Sequence, residues 1–320
     1  MKVSFEAACA LLREHDNFII LTHRAPDGDT LGSAYALMRI LRSAGKTAYV
    51  KNCDPVPKKY AFMAESEKEA PKVFLPDFVI AVDVAENAML GALAGEYEGR
   101  IDLCIDHHVS NSGYAKNTYV DADAAAAGEI VFAVSKALGT PLDTETAKRI
   151  YTAIVTDTGS FKFSNTTPRT HKIAAELIAF GFDFNALHMA FFDIKSKEKL
   201  TLERLALETL ETYDNGAVAL IYVTDEMLKE SRTTSEDTDG LAQIPRNVEG
   251  VRVGITMKQS GENAWRVSMR SSDVNVSEVC KAFGGGGHVR AAGCEVMGTL
   301  SHAREDILFA VRRAMNKKDE

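Results

Sequence analysis

The first half of the sequence alternates short apolar runs with segments of helical periodicity, and this alternation restricts the chain to a few architectures. Apolar runs of roughly five residues predict strands at 17–21, 47–51, 78–82 and 101–105. Helical spacing predicts helices at 30–44, 128–138, 144–155 and 168–179. Apolar runs without polar alternation are typical of parallel strands that are covered on both faces. The sequence therefore predicts an α/β domain with a parallel sheet at residues 1–190.

The second half of the sequence has a different pattern. Strand-like segments lie at 218–223, 251–257 and 265–272, and a terminal helix is predicted at 301–315. This order predicts a smaller α+β domain at residues 216–320. Between the halves, residues 195–216 carry apolar side chains at helical spacing and charges of both signs. They predict a helical linker, which we place at residues 191–215.

Length and composition describe an ordinary globular protein. The chain has 320 residues, enough for two domains of ~150 residues each, with 46% hydrophobic and 26% charged residues. No apolar run approaches the roughly 20 residues of a membrane span, and the N-terminus predicts an amphipathic helix rather than a signal peptide. Five scattered cysteines without a CxxC pair argue against a disulfide framework or a structural zinc site. They favour a reducing cytoplasm.

The net charge of −8 limits the partners of this chain. Proteins that hold long duplex DNA usually present a broad basic face, which a chain with this charge cannot supply. A local basic pocket for a short nucleotide is still compatible with the charge. Alternatively, part of the negative excess is a cluster of carboxylates that bound cations neutralise. The sequence leaves a homodimer open and predicts no membrane partner.

Acidic and imidazole side chains follow the ends of several predicted elements. They are His23, Asp27 and Asp29 after the first strand, Asp83 after the third, Asp106, His107 and His108 after the fourth, and Asp157 after the helix at 144–155. Ligands of open α/β sheets collect outside the carboxyl ends of the strands. Each short motif taken alone is more often a turn or a helix cap. Their joint occurrence in one half of the chain predicts a single site.

The composition of this set predicts two metal ions. Four carboxylates held close together would repel one another, and two divalent cations offset their charge. Carboxylates with some imidazole suit Mn²⁺, with Mg²⁺ and Co²⁺ as alternatives, whereas zinc sites carry more Cys or His. We expect Asp83 to bridge the ions, because a carboxylate can span the ~3.5–4 Å of a two-metal site.

The two adjacent histidines are expected to have different tasks. Successive side chains of an extended segment point to opposite sides, so His107 and His108 are unlikely partners on one ion. We assign His107 to a metal and His108 to a phosphoryl oxygen of the substrate. Asp106 is expected to orient a histidine from behind. Asp83 and His108 are the predicted catalytic residues.

A glycine run marks the second domain. In KAFGGGGHVRAAG, residues 281–293, the glycines permit positive φ, and consecutive backbone N–H groups can hold an anion. We therefore expect Gly285, Gly286 and Gly287 to contact a phosphate, together with the following His288. Arg270 is a further candidate from the strand before. A flexible loop in front of a strand is the alternative structure for this run.

These motifs together resemble those of the DHH phosphoesterase family. The matching stretches are THRAPDGD (22–29), AVDVA (81–85), IDHHVS (105–110) and TDTGSF (156–161), and GGGGHVRAAG (284–293) is similar to the hallmark of the DHH-associated C-terminal domain. The stretch FKFSNTTPRTH (161–171) is similar to the branch that acts on short oligoribonucleotides (nanoRNA) and on 3′-phosphoadenosine 5′-phosphate. Val289 and Lys162 depart from the family pattern, on the substrate side.

The resemblance implies a ligand set and a reaction. One Mn²⁺ would be held by His23, Asp27 and Asp83, the other by Asp29, Asp83, His107 and Asp157, with His108, Arg270 and the segment 284–288 binding substrate across an interdomain cleft. The expected reaction is phosphoester hydrolysis by a hydroxide that bridges two metal ions. A cyclic or linear dinucleotide phosphodiesterase, a pyrophosphatase and a non-catalytic nucleotide sensor are the alternatives.

Overall fold

The structure is a computed structural model that describes residues 1–71, 73–238 and 240–319, with side chains described as far as Asn316. The chain divides into two units, Met1–Ile194 and Lys195–Glu320. Among the helices of the described residues, none has both the length and the apolar character that crossing a membrane requires. All five cysteines are free thiols, and four of them are buried.

The first unit is an α/β layer structure. Its strands are β1 (Phe18–Leu21), β2 (Ala48–Lys51), β3 (Phe78–Val82), β4 (Leu103–Asp106) and β5 (Asn117–Val120). Its helices are α1 (Phe5–Glu14), α2 (Gly28–Ser43), α3 (Leu93–Glu96), α4 (Ala127–Leu138), α5 (Thr144–Asp157), α6 (Pro168–Ile178) and α7 (Phe184–His188). Two 3₁₀ turns (Lys58–Met63 and Asn87–Leu90) and one π-turn (Met189–Asp193) complete it.

The five strands form one sheet in the order β2-β1-β3-β4-β5, and every pair is parallel. On one face, alternate residues such as Ile20 and Ile80 pack in the core that α1, α2, α4, α5 and α6 cover. On the other face, residues such as Val79 and Cys104 pack against Leu93 of α3 and its surroundings. Both faces are therefore buried, which explains the unbroken apolar runs. The predicted parallel α/β sheet is confirmed.

Small residues bring the start of α2 against α5. A Cβ atom added to Gly28 would collide with the side chain of Thr156, and one added to Gly32 would lie 2.5 Å from the carbonyl oxygen of Arg149. The hydroxyl of Thr30 donates to the carbonyl oxygen of Val82, at the end of β3, over 3.0 Å. These contacts place the first turn of α2 beside the last turn of α5 and the end of the central strand.

The second unit is an α+β structure with a mixed sheet. Its strands are β6 (Glu211–Tyr213), β7 (Val218–Val223), β8 (Val253–Gly261), β9 (Ala264–Ser271), β10 (Gly286–His288) and β11 (Ala291–Met297). Its helices are α8 (Lys197–Glu208), α9 (Asp225–Ser231), α10 (Val276–Lys281) and α11 (Leu300–Asp319). The strand order is β10-β11-β9-β8-β7-β6, and only β7 and β8 are parallel. Residues of α10 and α11 cover one face of this sheet and form its main core.

The range predicted as a helical linker contains both a helix and a strand. Helix α8 ends at Glu208, and β6 already begins at Glu211. The hydroxyl of Thr209 accepts from the backbone N–H of Tyr222 over 2.9 Å, which ties the end of α8 to β7. Leu202 of α8 is buried in a small cluster with residues of β7. Helix α8 thus belongs to the packing of the second unit.

Candidate metal centre

The structure brings six of the predicted side chains together at the carboxyl edge of the first sheet. They are His23, Asp27, Asp29, Asp83, His107 and Asp157. Asp83 stands at the centre, because one of its carboxylate oxygens, Oδ2, lies 3.7 Å from Nε2 of His23 and the other, Oδ1, lies 3.4 Å from Nε2 of His107. The two oxygens of one carboxylate therefore face two different groups of side chains.

The first group consists of His23, Asp27 and Asp83, and the second consists of Asp29, His107 and Asp157. Asp83, His107 and His108 form a further set whose ligand atoms also lie close enough to share an ion. Nε2 of His23 is 3.7 Å from Oδ1 of Asp27. Nε2 of His107 is 3.6 Å from Oδ2 of Asp29 and 3.7 Å from Oδ2 of Asp157. Ligand atoms that share an ion at about 2.1 Å lie roughly 3–3.5 Å apart. Both groups thus fit a cation with little rearrangement.

Asp83 has three features that favour cations beside it. Its φ of 61° is left-handed, an uncommon conformation for a residue other than glycine. Its side chain is buried, and Oδ1 has no hydrogen-bond partner among the residues that the structure describes. Burial, together with the charges of Asp29 and Asp27, raises the pKa of Asp83 well above its usual value. A divalent cation would supply the missing partner of Oδ1 and stabilise the ionised carboxylate.

His23 and His107 are both oriented through the nitrogen that points away from the acids. Nδ1 of His23 lies 2.8 Å from the carbonyl oxygen of Arg24, and Nδ1 of His107 lies 3.2 Å from that of Ala124. Because a carbonyl oxygen only accepts, each Nδ1 carries a proton, and in the neutral imidazole Nε2 then keeps its lone pair. This is the usual arrangement of a histidine that binds a metal through Nε2.

Asp29 is held by the N-terminus of α4. Its Oδ2 accepts from the backbone N–H of Ala127 over 2.7 Å, and its Oδ1 accepts from the hydroxyl of Ser33 over 2.8 Å and from the N–H of Gly128 over 3.1 Å. Burial raises the pKa of Asp29 to about 7, with His107 acting against it and the neighbouring acids adding to it. Burial also raises the pKa of Asp157. These acids are poorly solvated, so nearby cations would favour their ionised forms.

His107 and His108 do not point to opposite sides, and that expectation is wrong. Nε2 of His107 and Nδ1 of His108 lie 3.4 and 3.5 Å from the same atom, Oδ1 of Asp83, and the ring centroids are 4.5 Å apart. The strand ends at Asp106, whose Oδ1 accepts from the backbone N–H groups of both histidines and so bends the chain into a turn. The alternation of an extended segment therefore does not apply to these residues.

Asp106 holds His108 from behind. Oδ1 of Asp106 lies 2.8 Å from Nδ1 of His108, and its Oδ2 accepts from Nδ2 of Asn111 over 2.6 Å. Burial acts to raise the pKa of Asp106, but the hydrogen bonds from His108 and Asn111 outweigh it and the pKa lies below its usual value. Nδ1 of His108 thus donates to an ionised carboxylate, and Nε2 remains as the second nitrogen of a partly exposed ring.

Two asparagines near the site were not predicted from the sequence. Asn111 contacts Asp106 as described, and Nδ2 of Asn165 donates to the carbonyl oxygen of Ala125 over 2.9 Å and approaches Oδ2 of Asp157 at 3.4 Å. Asn165 lies in the stretch FKFSNTTPRTH, whose resemblance to a family branch was its only signal in the sequence. Its amide connects the loop before α4 with the end of α5.

The glycine run of the second unit forms a hairpin instead of a row of free amides. The N–H groups of Gly284 and Gly285 donate to the carbonyl oxygens of Lys281 and Cys280 over 3.1 and 2.9 Å, which ends α10. Residues Gly286–His288 form the edge strand β10. The expected anion-holding series of consecutive amides is therefore not formed, because β-pairing and helix capping use several of them.

The predicted side chains Arg270 and His288 share one face of the second sheet. His288 pairs with Ala291, and Ala291 pairs with Arg270, so the three side chains lie in one row across β10, β11 and β9. The next row on this face is formed by Gly286, Gly293 and Ser268. Two strand spacings, about 9–10 Å, separate the backbones of His288 and Arg270 in this row. A floor of small residues thus lies beside two basic side chains.

Comparison with known proteins identifies both units. The DHH family, N-terminal domain, matches residues 17–154, and the DHHA1 domain matches residues 214–317. The probable bifunctional oligoribonuclease and PAP phosphatase of Streptococcus mutans is 31% identical, over 91% of this chain and 93% of that protein. The bifunctional oligoribonuclease and PAP phosphatase of Thermus thermophilus is 32% identical, over 93% of this chain and 90% of that protein.

A solved structure shares the fold. The exopolyphosphatase-related protein of Bacteroides fragilis matches 98% of this chain and 98% of its own, with a TM-score of 0.88 and 23% sequence identity. The resemblance stated from the motifs is confirmed by these matches, which cover both units. The chain belongs to the DHH family of metal-dependent phosphoesterases, and its second unit is a DHHA1 domain.

Proposed function

We propose that the protein hydrolyses short oligoribonucleotides and 3′-phosphoadenosine 5′-phosphate with two Mn²⁺ ions per chain. The observation that carries this proposal is the placement of Asp83, whose two oxygens face two separate groups of acids and imidazoles. Shared ligands are a common feature of two-metal phosphoesterase sites. The names of the Streptococcus and Thermus relatives support the choice of substrates.

The ligands divide as the two groups do. One ion would be held by His23, Asp27 and Asp83, and the other by Asp29, Asp83, His107 and Asp157. Four carboxylates balance the charge of two divalent ions, and carboxylates with imidazole suit Mn²⁺, with Mg²⁺ and Co²⁺ as alternatives. When bound, the ions would lower the pKa of the attacking water and offset charge on the phosphate oxygens.

His108 is proposed to act on the substrate. Its Nδ1 is engaged by Asp106, and its side chain is 37% exposed, so Nε2 is the nitrogen that can reach a ligand. The hydrogen bond to Asp106 raises the pKa of His108, with burial acting against it, which favours a proton on Nε2. From this position His108 donates to a phosphate oxygen as the ester bond breaks, which stabilises the developing charge.

The second unit is proposed to bind the part of the substrate that does not react. Arg270 and His288 provide donors for a phosphate, and the small residues between them leave room for a sugar or a base. Gly286 and Gly287 both lie in the edge strand β10, and Gly286 is one of the small residues beside Arg270 and His288. The N–H of Gly285 is already used in a hydrogen bond to the carbonyl oxygen of Cys280. We therefore expect Arg270 and His288 to contribute more to affinity than the glycine amides.

The proposed division of labour follows the predicted domains. We assign residues 1–190 to catalysis and the second unit, which includes α8 and β6, to substrate binding. A chain of net charge −8 suits short, single-stranded substrates better than long duplex DNA. Free thiols fit a reducing compartment, and we place the protein in the cytoplasm.

A substrate panel tests this proposal. The purified chain is freed of metal with EDTA, supplied with Mn²⁺, and given 3′-phosphoadenosine 5′-phosphate, di- to pentaribonucleotides, cyclic dinucleotides and pyrophosphate. We expect release of phosphate from the first and of mononucleotides from the short RNAs, and no release before Mn²⁺ is added. Faster hydrolysis of cyclic dinucleotides or pyrophosphate would overturn the substrate assignment. Full activity in EDTA would overturn the metal assignment.

A further inference from the structure

An unusual turn follows the metal-facing residue Asp157. Gly159, Ser160 and Phe161 have φ values of 55°, 62° and 62°, so three consecutive residues are left-handed. A single left-handed glycine is a common way to end a helix, but left-handed residues with side chains are unfavourable and seldom occur in series. Contacts from outside the turn can contribute to its stability, and the ring of His171 stacks on Phe161 with centroids 5.2 Å apart.

Local hydrogen bonds account for the first of these residues and continue through the turn, since the N–H of Phe161 donates to the hydroxyl of Thr158 over 3.1 Å and the N–H of Lys162 donates to its carbonyl oxygen over 3.0 Å. The N–H of Ser160 donates to the carbonyl oxygen of Val155 over 2.8 Å, and that of Gly159 donates to Thr156 over 3.1 Å, which is a Schellman ending of α5. Gly159 has no Cβ atom, and a Cβ there would collide with the ring of Phe163. This requirement fits glycine, and it does not extend to the two residues that follow.

His188 contacts both of the remaining left-handed residues. Its Nδ1 lies 2.9 Å from the hydroxyl of Ser160, and its ring stacks on Phe161 with centroids 6.3 Å apart and an interplanar angle of 30°. Its Nε2 lies 2.9 Å from the hydroxyl of Tyr151. Burial raises the pKa of Tyr151 to about 12, so this hydroxyl keeps its proton and can donate to Nε2 or accept from it. The hydroxyls of Ser160 and Tyr151 thus hold both ring nitrogens of His188.

The position of His188 is itself well defined. It is the last residue of α7, and the chain continues directly into the π-turn Met189–Asp193. Single π-turns are rare and frequently mark functional positions. The rings of Phe184 and Phe192 lie 6.3 and 6.0 Å from the imidazole, so the ring is held from several sides. Neither a metal ligand nor a substrate contact has been assigned to this histidine.

We propose that His188 is a positioning residue that fixes the turn 159–161 and thereby presents Lys162 and Phe163 to the substrate. Both residues follow the turn directly and are exposed, Phe163 to 52%. A cation and an aromatic ring close in sequence to Asp157 match a phosphate and a base of a short nucleotide. This inference rests on the proposed function, because it concerns affinity for that substrate.

Substitutions of His188 separate positioning from general stability. His188→Ala is expected to raise KM for a diribonucleotide about tenfold, the loss expected for one charged contact. Calorimetric Mn²⁺ affinity should stay unchanged, because Asp157 is held by α5 and by Asn165. His188→Asn should restore most of the KM, since its amide reaches the place of Nδ1, whereas His188→Gln reaches that of Nε2 and should not. Asn185→Ala removes an exposed side chain of the same helix, so it is the matched control and should leave KM near the wild-type value.

A second substitution gives an independent test. Glycine adopts left-handed φ without strain, so Ser160→Gly in the His188→Ala background should recover part of the lost affinity. An unchanged KM in His188→Ala, with only a lower melting temperature, would overturn the inference and leave the proposed function intact. Loss of Mn²⁺ affinity in that variant would also overturn it. A wild-type chain that hydrolyses no member of the substrate panel would overturn the proposed function together with this inference.

Discussion

The substitution Asp83→Asn is the sharpest test of the proposed two-ion centre. Asparagine keeps the size of the side chain and tolerates a left-handed backbone better than most residues, so φ of 61° remains accessible. The substitution removes the negative charge and replaces one of the two oxygens by an amide nitrogen that cannot bind a cation. One of the two ligand groups around Asp83 therefore loses its shared donor.

The expected magnitude follows from this geometry. Four carboxylates balance two divalent ions, and after the substitution three remain, so we expect the chain to retain about one tightly bound ion instead of two. Loss of one preorganised group that stabilises the transition state typically lowers kcat by about 10²–10³. Because Asp83 contacts both groups, we expect a loss of at least about 10³, or about 4 kcal/mol of transition-state stabilisation.

The same substitution should stabilise the metal-free protein. Burial raises the pKa of Asp83, which means that the folded state disfavours its ionised form. When the pKa of a carboxyl is higher in the folded state than in the unfolded state, the free energy of unfolding falls as the pH rises above the unfolded-state pKa, near 3.9 for Asp. At pH 7 the asparagine variant should therefore melt at a higher temperature than the wild type in EDTA. Added Mn²⁺ should raise the melting temperature less in the variant than in the wild type.

The assays are metal analysis by mass spectrometry, thermal unfolding with and without Mn²⁺, and hydrolysis of a diribonucleotide. Asp123→Asn is a matched control, because it removes an exposed acid of the same unit. It should change neither metal content nor turnover. Two tightly bound ions and normal turnover in Asp83→Asn would refute the bridging role. A lower melting temperature in EDTA would refute the account of its buried charge.

Three further substitutions test other parts of the molecule. His108→Ala should lower kcat by about 10²-fold. Metal analysis should still find about two ions per chain, because Nδ1 of His108 is hydrogen-bonded to Asp106. Loss of metal in this variant would indicate that His108 is a metal ligand. Arg270→Ala should raise KM for a dinucleotide roughly tenfold and leave kcat nearly unchanged in steady-state kinetics, because the half-buried guanidinium lies in the second unit. Asp143→Ala should lower the free energy of unfolding by about 1 kcal/mol in urea, because Asp143 caps α5 through the N–H of Thr146. Burial acts to raise the pKa of Asp143, but hydrogen bonds from Thr146 and Arg39 lower it to about 2. The difference in the free energy of unfolding between wild type and Asp143→Ala should therefore be largest above about pH 4 and should decrease as the pH falls toward 2.

The sequence predicted best the elements whose burial is uniform. Strand β3 was predicted with its observed bounds because all five of its residues are buried and no polar side chain interrupts the run. Strand β5 was not predicted. Its sequence NTYV contains one buried residue in four, and it lies at the edge of the sheet, where, among the described residues, its outer side pairs only with residues 1–3 through Thr118. An edge strand of this kind carries little periodic signal.

The groups that orient the ligands could not be predicted from local sequence. The amides that hold Asp29 come from residues 98 and 99 positions later in the chain. The turn that brings His107 and His108 to the same oxygen depends on the carboxylate of Asp106, which a period of two residues does not describe. In the second unit, the glycines were expected to offer free amides, but pairing with β11 uses part of them. All three outcomes depend on partners that local periodicity does not specify.

Asp83 also explains why the metals and the fold should depend on each other. Its left-handed backbone costs about 1 kcal/mol, its buried oxygen lacks a partner among the described residues, and its ionised form is disfavoured by burial. None of these three features of Asp83 stabilises the sheet. Contacts of the neighbouring backbone hold Asp83 in this conformation. The N–H of Asp83 donates to Ile105 over 2.9 Å, and Thr30 of α2 donates to Val82 just before it. Divalent cations would relieve two of the three costs at once, so metal binding should stabilise the first unit and protect the backbone amides around β3 and β4 from hydrogen exchange more than those of β5.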